Sequence, residues 1–159
     1  MTPRTGHIGL NVTDLDRSLA FYRDVLGFAL LAEGKESEAD RDDKEGRRRY
    51  AFLGSSDGDG GPVLTLWQQA RVPYATDRAG LHHLALEVDT IDQVRTYETA
   101  LRGHGVTFAH EGVVAHREGS ASGGIFFHDP DGTRVEIYAP SGAEGAPAPS
   151  EQAPTCGFF

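Results

Sequence analysis

The fold is decided by the stretch Gly6-His7-Ile8-Gly9-Leu10-Asn11-Val12, followed by Asp14-Leu15-Asp16-Arg17-Ser18-Leu19-Ala20-Phe21-Tyr22 and Leu26-Gly27-Phe28. It predicts a short strand with a histidine at its head, a capped amphipathic helix, and a glycine at which the helix ends. The same order returns in His82-His83-Leu84-Ala85-Leu86-Glu87-Val88 and the helical pattern that ends near Gly103 and Gly105. Self-similarity on this scale indicates two related modules.

Further strands are predicted after each helix. In the first half they span residues 48–53 and 62–69. In the second half they span 124–128 and 133–138, with a further strand at 107–110 and a weaker candidate at 113–116. The turn Asp129-Pro130-Asp131-Gly132 separates the two strong candidates of the second half, and Pro and Gly at these positions are typical of a hairpin. Each half therefore has the order strand, helix, strands.

Length and charge exclude several classes of protein. The chain has 159 residues, a size suited to one domain with a real core. A net charge of -9 and a pI near 5.1 argue against nucleic acid as a partner. No apolar run approaches the roughly 18 residues that span a bilayer, and the first residues lack the apolar core of a secretion signal. We expect a soluble cytoplasmic protein without a membrane partner.

The last part of the chain differs in composition from the rest. Residues 141–159 are rich in Ala, Pro and Gly, which bury too little apolar surface to offset the loss of chain entropy. We expect a disordered tail over 141–159 and a single domain over 1–140, with module one at 4–70 and module two at 80–140. Cys156, the only cysteine, lies in this tail, so no internal disulfide forms.

Strand periodicity indicates which side chains share a face. If side chains alternate, His7 and Gly9 lie on one face of the first strand, and His83 and Ala85 on the same face of its counterpart. Glu136 falls on a face opposite Val135 and Ile137, whose apolar side chains should meet a helix. The candidate ligands therefore lie on the side of each sheet away from the helices, next to small residues that leave room for a ligand.

These motifs together resemble a known family. The chain shows His-x-x-x-x-Val, Leu-Asp-Arg-Ser-Leu-Ala-Phe-Tyr-Arg-Asp-Val-Leu-Gly-Phe, Gly-His-Gly-Val and Asp-Pro-Asp-Gly-x-x-x-Glu-Ile-Tyr. It is similar over about residues 4 to 140 to the vicinal oxygen chelate superfamily, which includes glyoxalase I, fosfomycin and bleomycin resistance proteins and extradiol dioxygenases. The resemblance implies an α+β fold of two βαβββ modules, forming an open U-shaped mixed sheet around a metal, with helices on the outer face. It also implies a homodimer.

The resemblance assigns His7, His83 and Glu136 as metal ligands. A fourth ligand of the glyoxalase branch, Glu or Gln, corresponds here to Thr65, which counts against glyoxalase chemistry. Two histidines and one carboxylate are the ligand set of non-haem Fe(II) oxygenases. A dioxygenase with Fe2+ is therefore the leading prediction, with Mn2+, Ni2+ or Zn2+ as alternative metals. The alternative functions are a glyoxalase-like lyase or isomerase, and a resistance protein that sequesters a drug.

His116 is the predicted catalytic residue, because it lies next to the position of the upstream histidine in the extradiol signature. A histidine brought inward by its loop can act as a general acid or base. Two observations oppose this prediction: a surface histidine is the commoner outcome, and the tyrosine usual in the extradiol signature is here Phe126.

The predicted substrate is a small aromatic or apolar molecule with two chelating oxygens. By alternation, aromatic side chains share the metal face, and small or polar residues line the space beside them. The predicted pocket residues are Thr65, Trp67, Phe126, Tyr138, Gly9 and Ala85. The alternative is that the rings only fill the hollow of the sheet.

Overall fold

The computed structural model describes residues 1–35, 48–57, 60–61, 63–150 and 153–157. The chain divides into two compact units, Met1–Pro73 and Tyr74–Phe159. The predicted modules, 4–70 and 80–140, each fall mainly within one of these units.

Unit one contains a four-stranded sheet with the order β1-β4-β3-β2. Its strands are β1 (Ile8–Val12), β2 (Ala29–Lys35), β3 (Arg49–Gly54) and β4 (Leu64–Gln68). Strand β1 runs parallel to β4, and the remaining pairs are antiparallel. Helix α1 (Leu15–Leu19) connects β1 to β2 and continues into a π-helix (Ala20–Val25). The unit therefore has the order βαβββ.

The helix of unit one begins and packs as its sequence dictates. The Asp14 side chain accepts a hydrogen bond from the Arg17 amide at 3.1 Å and so caps the first turn. Leu15, Leu19 and Tyr22 are almost fully buried, and α1 packs on β3 and β4. This contact covers one face of the sheet and leaves its other face open to carry a site.

Strand β2 lies at the end of the described sheet of unit one. It pairs with β3 from Ala29 to Lys35, with an irregularity in register between Leu30 and Ala32 that is typical of a β-bulge. Most of its residues are exposed, including Leu31 at 46% of its surface. The sequence pattern did not predict this strand, because neither of its faces is consistently apolar.

Unit two repeats the arrangement with a sheet of order β5-β8-β7-β6. Its elements are β5 (Leu84–Glu87), α2 (Ile91–Gly103), β6 (Val114–Ala115), β7 (Gly123–His128) and β8 (Arg134–Ala139). Strand β5 runs parallel to β8, and β7 pairs antiparallel with both β6 and β8. Helix α2 begins at a capping box formed by Thr90 and Gln93 and packs on β7 and β8.

The predicted α+β class, with two βαβββ modules and open mixed sheets, is confirmed. The predicted hairpin around Asp129-Pro130-Asp131-Gly132 is also confirmed, since β7 and β8 pair from Gly123 with Ala139 to His128 with Arg134. The candidate strand at 107–110 is reduced to one bridge, between Phe108 and Phe127. None of the described helices is long and apolar enough to cross a membrane.

The C-terminal tail is described at residues 141–150 and 153–157, and its disorder stays a prediction. Ala143 is 1% exposed and Thr155 is fully buried within a short 3-10 helix, Thr155–Gly157. The tail contacts the second sheet through backbone hydrogen bonds, such as that from the Ala115 amide to the Pro147 carbonyl at 2.9 Å. Residues 151–152 and 158–159 lie outside the described residues.

Candidate functional site

Glu136 is a nearly buried carboxylate in the middle of the second sheet. It lies on β8, paired with Ala85 of β5 on one side and with Phe126 of β7 on the other. Only 3% of its surface is exposed. Burying a carboxylate without partners is costly, so its contacts are expected to be strong hydrogen bonds or a cation.

Two histidines contact this carboxylate, one at each oxygen. Nε2 of His116 lies 2.5 Å from Oε1 of Glu136. Nε2 of His83 lies 3.5 Å from Oε2. The two imidazoles are each about a quarter exposed, 24% for His116 and 23% for His83, so the group can be reached from solvent. The structure therefore brings together three of the predicted site residues, Glu136, His83 and His116.

A hydrogen-bonded chain of serines supports His116. Nδ1 of His116 lies 2.8 Å from the Ser122 hydroxyl, which lies 3.0 Å from the Ser120 hydroxyl. An ionised carboxylate can only accept a hydrogen bond, so Nε2 of a neutral His116 donates to Glu136 and Nδ1 accepts from Ser122. These hydrogen bonds fix both the tautomer and the orientation of the His116 ring. Ser122 was not predicted as a site residue, since a serine in a Gly-rich and Ser-rich loop carries no distinctive signal.

His83 is held from its other ring nitrogen. Its Nδ1 lies 2.9 Å from Nδ1 of His82, and Nε2 of His82 lies 3.3 Å from Nη1 of Arg134. Burial is the main cause that lowers the pKa of His83, although the nearby Glu136 charge opposes it. A lowered pKa favours the neutral imidazole, which is the form that binds metals. His82 was not among the predicted site residues, and its adjacency to His83 was the available signal.

The donors of unit two fit part of a metal site. With metal–ligand bonds of about 2.0–2.2 Å, two neighbouring donors of a tetrahedral site lie about 3.4 Å apart. The 3.5 Å separation between Nε2 of His83 and Oε2 of Glu136 is close to that value. Within either unit, however, the described residues contain no group of three or more His, Cys, Asp or Glu side chains that could hold an ion.

The predicted ligand of unit one is exposed. His7 comes immediately before β1, whose residues Gly9 and Asn11 are exposed while Leu10 and Val12 are buried. This burial pattern agrees with the predicted alternation, which puts His7 on the same side as Gly9. The role of His7 as a metal ligand stays a prediction.

The hydroxyl of Thr65, the residue predicted to correspond to a fourth ligand, already accepts a hydrogen bond. Its side chain is 3% exposed and accepts a hydrogen bond from the Trp67 indole nitrogen at 3.1 Å. A β-carbon added at Gly9 would lie 3.3 Å from the Thr65 hydroxyl, so these positions are in close contact. The threonine therefore serves to orient Trp67.

Three aromatic rings cover the open face of the first sheet. The Tyr50 ring centroid lies 5.3 Å from both Phe52 and Trp67, and Phe52 lies 6.1 Å from Trp67. All three side chains are partly exposed, as an aromatic ligand surface requires. Gly34 permits this cluster, because a β-carbon there would lie 2.5 Å from the Tyr50 ring.

The predicted pocket residues of unit two differ in access. Phe126 is fully buried beside Glu136 on the neighbouring strand, and its ring lies edge-on to the His116 ring at 6.3 Å. Tyr138 is partly exposed, and its ring lies 5.4 Å from that of His116. Ala85 is exposed. Ala85 and Tyr138 are therefore accessible to a ligand within this unit, whereas Phe126 is buried and packs beside His116 and Glu136.

Tyr138 is expected to keep its proton to unusually high pH. Its hydroxyl donates a hydrogen bond to Glu87 at 2.5 Å, and mainly through this bond its pKa rises to about 12. An unfolded tyrosine ionises near pH 10, so the bond contributes to stability fully below about pH 10 and is lost as pH rises through about 12. Ultraviolet titration of tyrosinate, taken as the difference between wild type and Tyr138→Phe, measures this value. Glu87→Gln should lower it, and an unchanged value would contradict the assignment.

Comparison with known proteins gives the family. Residues 4–137 match the family model described as the Glyoxalase/Bleomycin resistance protein/Dioxygenase superfamily. This match covers most of the chain and agrees with the two βαβββ modules. The chain belongs to this superfamily, and the predicted resemblance is confirmed.

Individual relatives within the superfamily differ in activity. The chain is 34% identical over 137 residues to lactoylglutathione lyase of Haemophilus influenzae, covering 82% of this chain and 88% of that protein. It is similar in structure to glyoxalase I of Leishmania major, with a TM-score of 0.62, 28% identity, and coverage of 87% and 88%. It is also 26% identical over 135 residues to catechol-2,3-dioxygenase of Bacillus subtilis, covering 84% of this chain but 40% of that protein.

Proposed function

We propose that this chain is a divalent-metal-dependent lyase or isomerase of the glyoxalase type. Its substrate is a small molecule with two neighbouring oxygens. The observation that carries this proposal is the contact of the buried Glu136 carboxylate with His83 on one oxygen and His116 on the other. Such a group combines metal donors with an acid–base imidazole. The identity to a lactoylglutathione lyase supports the same class of reaction.

The roles of the residues follow from their contacts. His7, Nε2 of His83 and Oε2 of Glu136 would hold the ion, and the bound metal would polarise the substrate oxygens. His116 donates a hydrogen bond from Nε2 to Oε1 of Glu136 and would serve as the general acid–base group, with this proton passing to the substrate and returning to Nε2 in each turnover. Ser122 keeps the imidazole in the tautomer that this exchange needs. Trp67, Phe52 and Tyr50 supply an aromatic surface for an apolar part of the substrate.

A second candidate function is a dioxygenase, which the sequence favoured. It is supported by Thr65 in the place of the fourth glyoxalase ligand, because a set of two histidines and one carboxylate leaves positions open for dioxygen. The named lyases among the relatives do not support it. Fe2+ as the preferred metal stays a prediction, together with the homodimer, which sedimentation of the purified chain tests.

Metal loading with two assays separates the candidates. The purified chain is stripped, reloaded separately with Zn2+, Ni2+, Mn2+ or Fe2+, and incubated with the hemithioacetal of glutathione and a 2-oxoaldehyde, or with catechol. Formation of the 2-hydroxy thioester supports the proposed lyase or isomerase. Oxygen consumption with catechol by the iron form alone would overturn it in favour of the dioxygenase. A chain that binds aromatic ligands without metal and without turnover would be a sequestering protein instead.

A further inference from the structure

The C-terminal segment, residues 141–150 and 153–157, returns to β6, the strand that His116 directly follows. Strand β6 is two residues long, and its outer backbone groups face this segment. The Ala115 amide donates to the Pro147 carbonyl at 2.9 Å, and the Thr155 amide donates to the His116 carbonyl at 2.9 Å. The Thr155 hydroxyl donates to the Ala115 carbonyl at 2.6 Å. The segment thus occupies the edge of the second sheet beside the candidate site.

These three bonds are most of the hydrogen bonds made by the backbone groups of Ala115 and His116. Ala115 pairs with Gly123 of β7, and the His116 amide donates to the Ser122 carbonyl at 3.1 Å. The amide and carbonyl of Ala115 and the carbonyl of His116 point the other way and pair with Pro147 and Thr155. A strand this short has little support of its own, so its position depends on partners along both edges.

The packing of Ala143 shows that the second sheet leaves space for the C-terminal segment. Ala143 is 1% exposed, and its amide donates to the Ala121 carbonyl at 2.9 Å. A β-carbon added at Gly123 would lie 2.6 Å from the β-carbon of Ala143 and 2.5 Å from the Val114 carbonyl oxygen. Gly123 therefore leaves the space in which Ala143 and β6 approach β7. The second sheet therefore contacts the C-terminal segment at Ala143 as well as along β6.

We infer that Thr155 is a positioning residue that fixes His116 against Glu136, which makes the C-terminal segment part of the site. The inference rests on the acid–base role proposed for His116. Thr155 is fully buried, and its hydroxyl and amide hold two consecutive carbonyls, those of Ala115 and His116. A hydrogen bond weakens over a few tenths of an ångström, so the 2.5 Å contact between His116 and Glu136 requires a fixed backbone.

The test uses three full-length variants and a spectroscopic readout. Thr155→Val keeps the shape but removes the hydroxyl, and Thr155→Ser retains it. Thr99→Val is the matched control, because Thr99 makes the same kind of bond, to the Arg95 carbonyl at 2.9 Å on α2. Imidazole nitrogen resonances of His116 are recorded at one pH without added metal and are assigned with His116→Gln. Thr155→Val should shift or broaden them, whereas Thr155→Ser and Thr99→Val should leave them unchanged.

Two results would overturn the inference. One is a folded Thr155→Val whose His116 resonances superimpose on those of the wild type. The other comes from the wild type alone, so it holds even if Thr155→Val does not fold. The Ala115 and Thr155 amides should exchange slowly with deuterium, and free exchange at both would show that the segment does not hold β6.

Kinetics separate this inference from the proposed reaction. On a substrate that is turned over, Thr155→Val should lower kcat by about tenfold with little change in KM, since small misplacements of a reacting group have large effects on rate. An unchanged kcat in an active enzyme would overturn the positioning role. A resonance shift in a chain without turnover on any substrate would support the positioning role and count against the proposed reaction.

Discussion

Glu136→Gln is expected to lower turnover by about a thousandfold and to reduce bound metal. Glutamine has the same size and keeps an acceptor oxygen for His116, but it loses the negative charge that a divalent ion and an imidazole both require. General acid–base catalysis alone contributes about 10²–10⁴-fold to rate, so losing the charge at the centre of the group has an effect in this range. Turnover and metal content are measured on the same preparation.

Glu98→Gln is the matched control for this substitution. Glu98 is another largely covered glutamate, paired with Arg102 at 2.9 Å on α2 and outside the candidate site. This variant should keep full activity and metal content. If Glu136→Gln retained wild-type turnover, the assignment of the site to this carboxylate would be wrong.

Gly124→Ala is expected to destabilise the protein by about 3 kcal/mol, the upper end of the range for overpacking a core. A β-carbon at this position would lie 2.3 Å from the Ile137 carbonyl oxygen and 2.9 Å from the Tyr138 α-carbon. Both contacts are with backbone, which cannot turn aside as a flexible side chain can. The pairing of β7 with β8 must therefore shift beside Glu136. Equilibrium unfolding in denaturant measures the loss.

Gly103→Ala is the control for the effect of the added methyl group. Gly103 ends α2, and no atom lies within 4 Å of the place its β-carbon would take. Alanine there should be neutral or stabilising by up to about 1 kcal/mol, since it restricts the unfolded chain. Equal unfolding midpoints for the two variants would contradict the close approach of β7 to β8.

The elements with a clear apolar period were predictable from the sequence. Strand β1 alternates in burial as its sequence does, and β7 and β8 meet across a turn whose Pro and Gly specify a hairpin. The first helix was predicted as one amphipathic segment, and the structure divides it into α1 and a π-helix. Buried residues fall in adjacent pairs there, Ser18 with Leu19 and Phe21 with Tyr22. The apolar pattern of the sequence is the same for such pairs as for one face of a regular α-helix, so it does not predict where the π-helix begins.

The closeness of His83 and Glu136 was predictable from the sequence, whereas the hydrogen bonds that hold His116 beside them were not. His83 and Glu136 occupy motif positions and face the same side of neighbouring strands, which alternation alone indicates. The inward position of His116 depends on Ser122 and Thr155, which are 6 and 39 residues away along the chain. Contacts of this kind are made by backbone groups and small side chains, so they leave no trace in composition.

The irregular register between Leu30 and Ala32 makes it harder for a strand of another polypeptide to pair with β2. A regular outer strand offers its amides and carbonyls as a template, and fibres grow when copies add to it in succession. The offset interrupts that template, and the exposed Glu33 and Lys35 put charge beside it. The successive addition of strands to β2 is therefore disfavoured. Although Leu31 is exposed, we expect concentrated solutions of the protein not to form fibres through this strand.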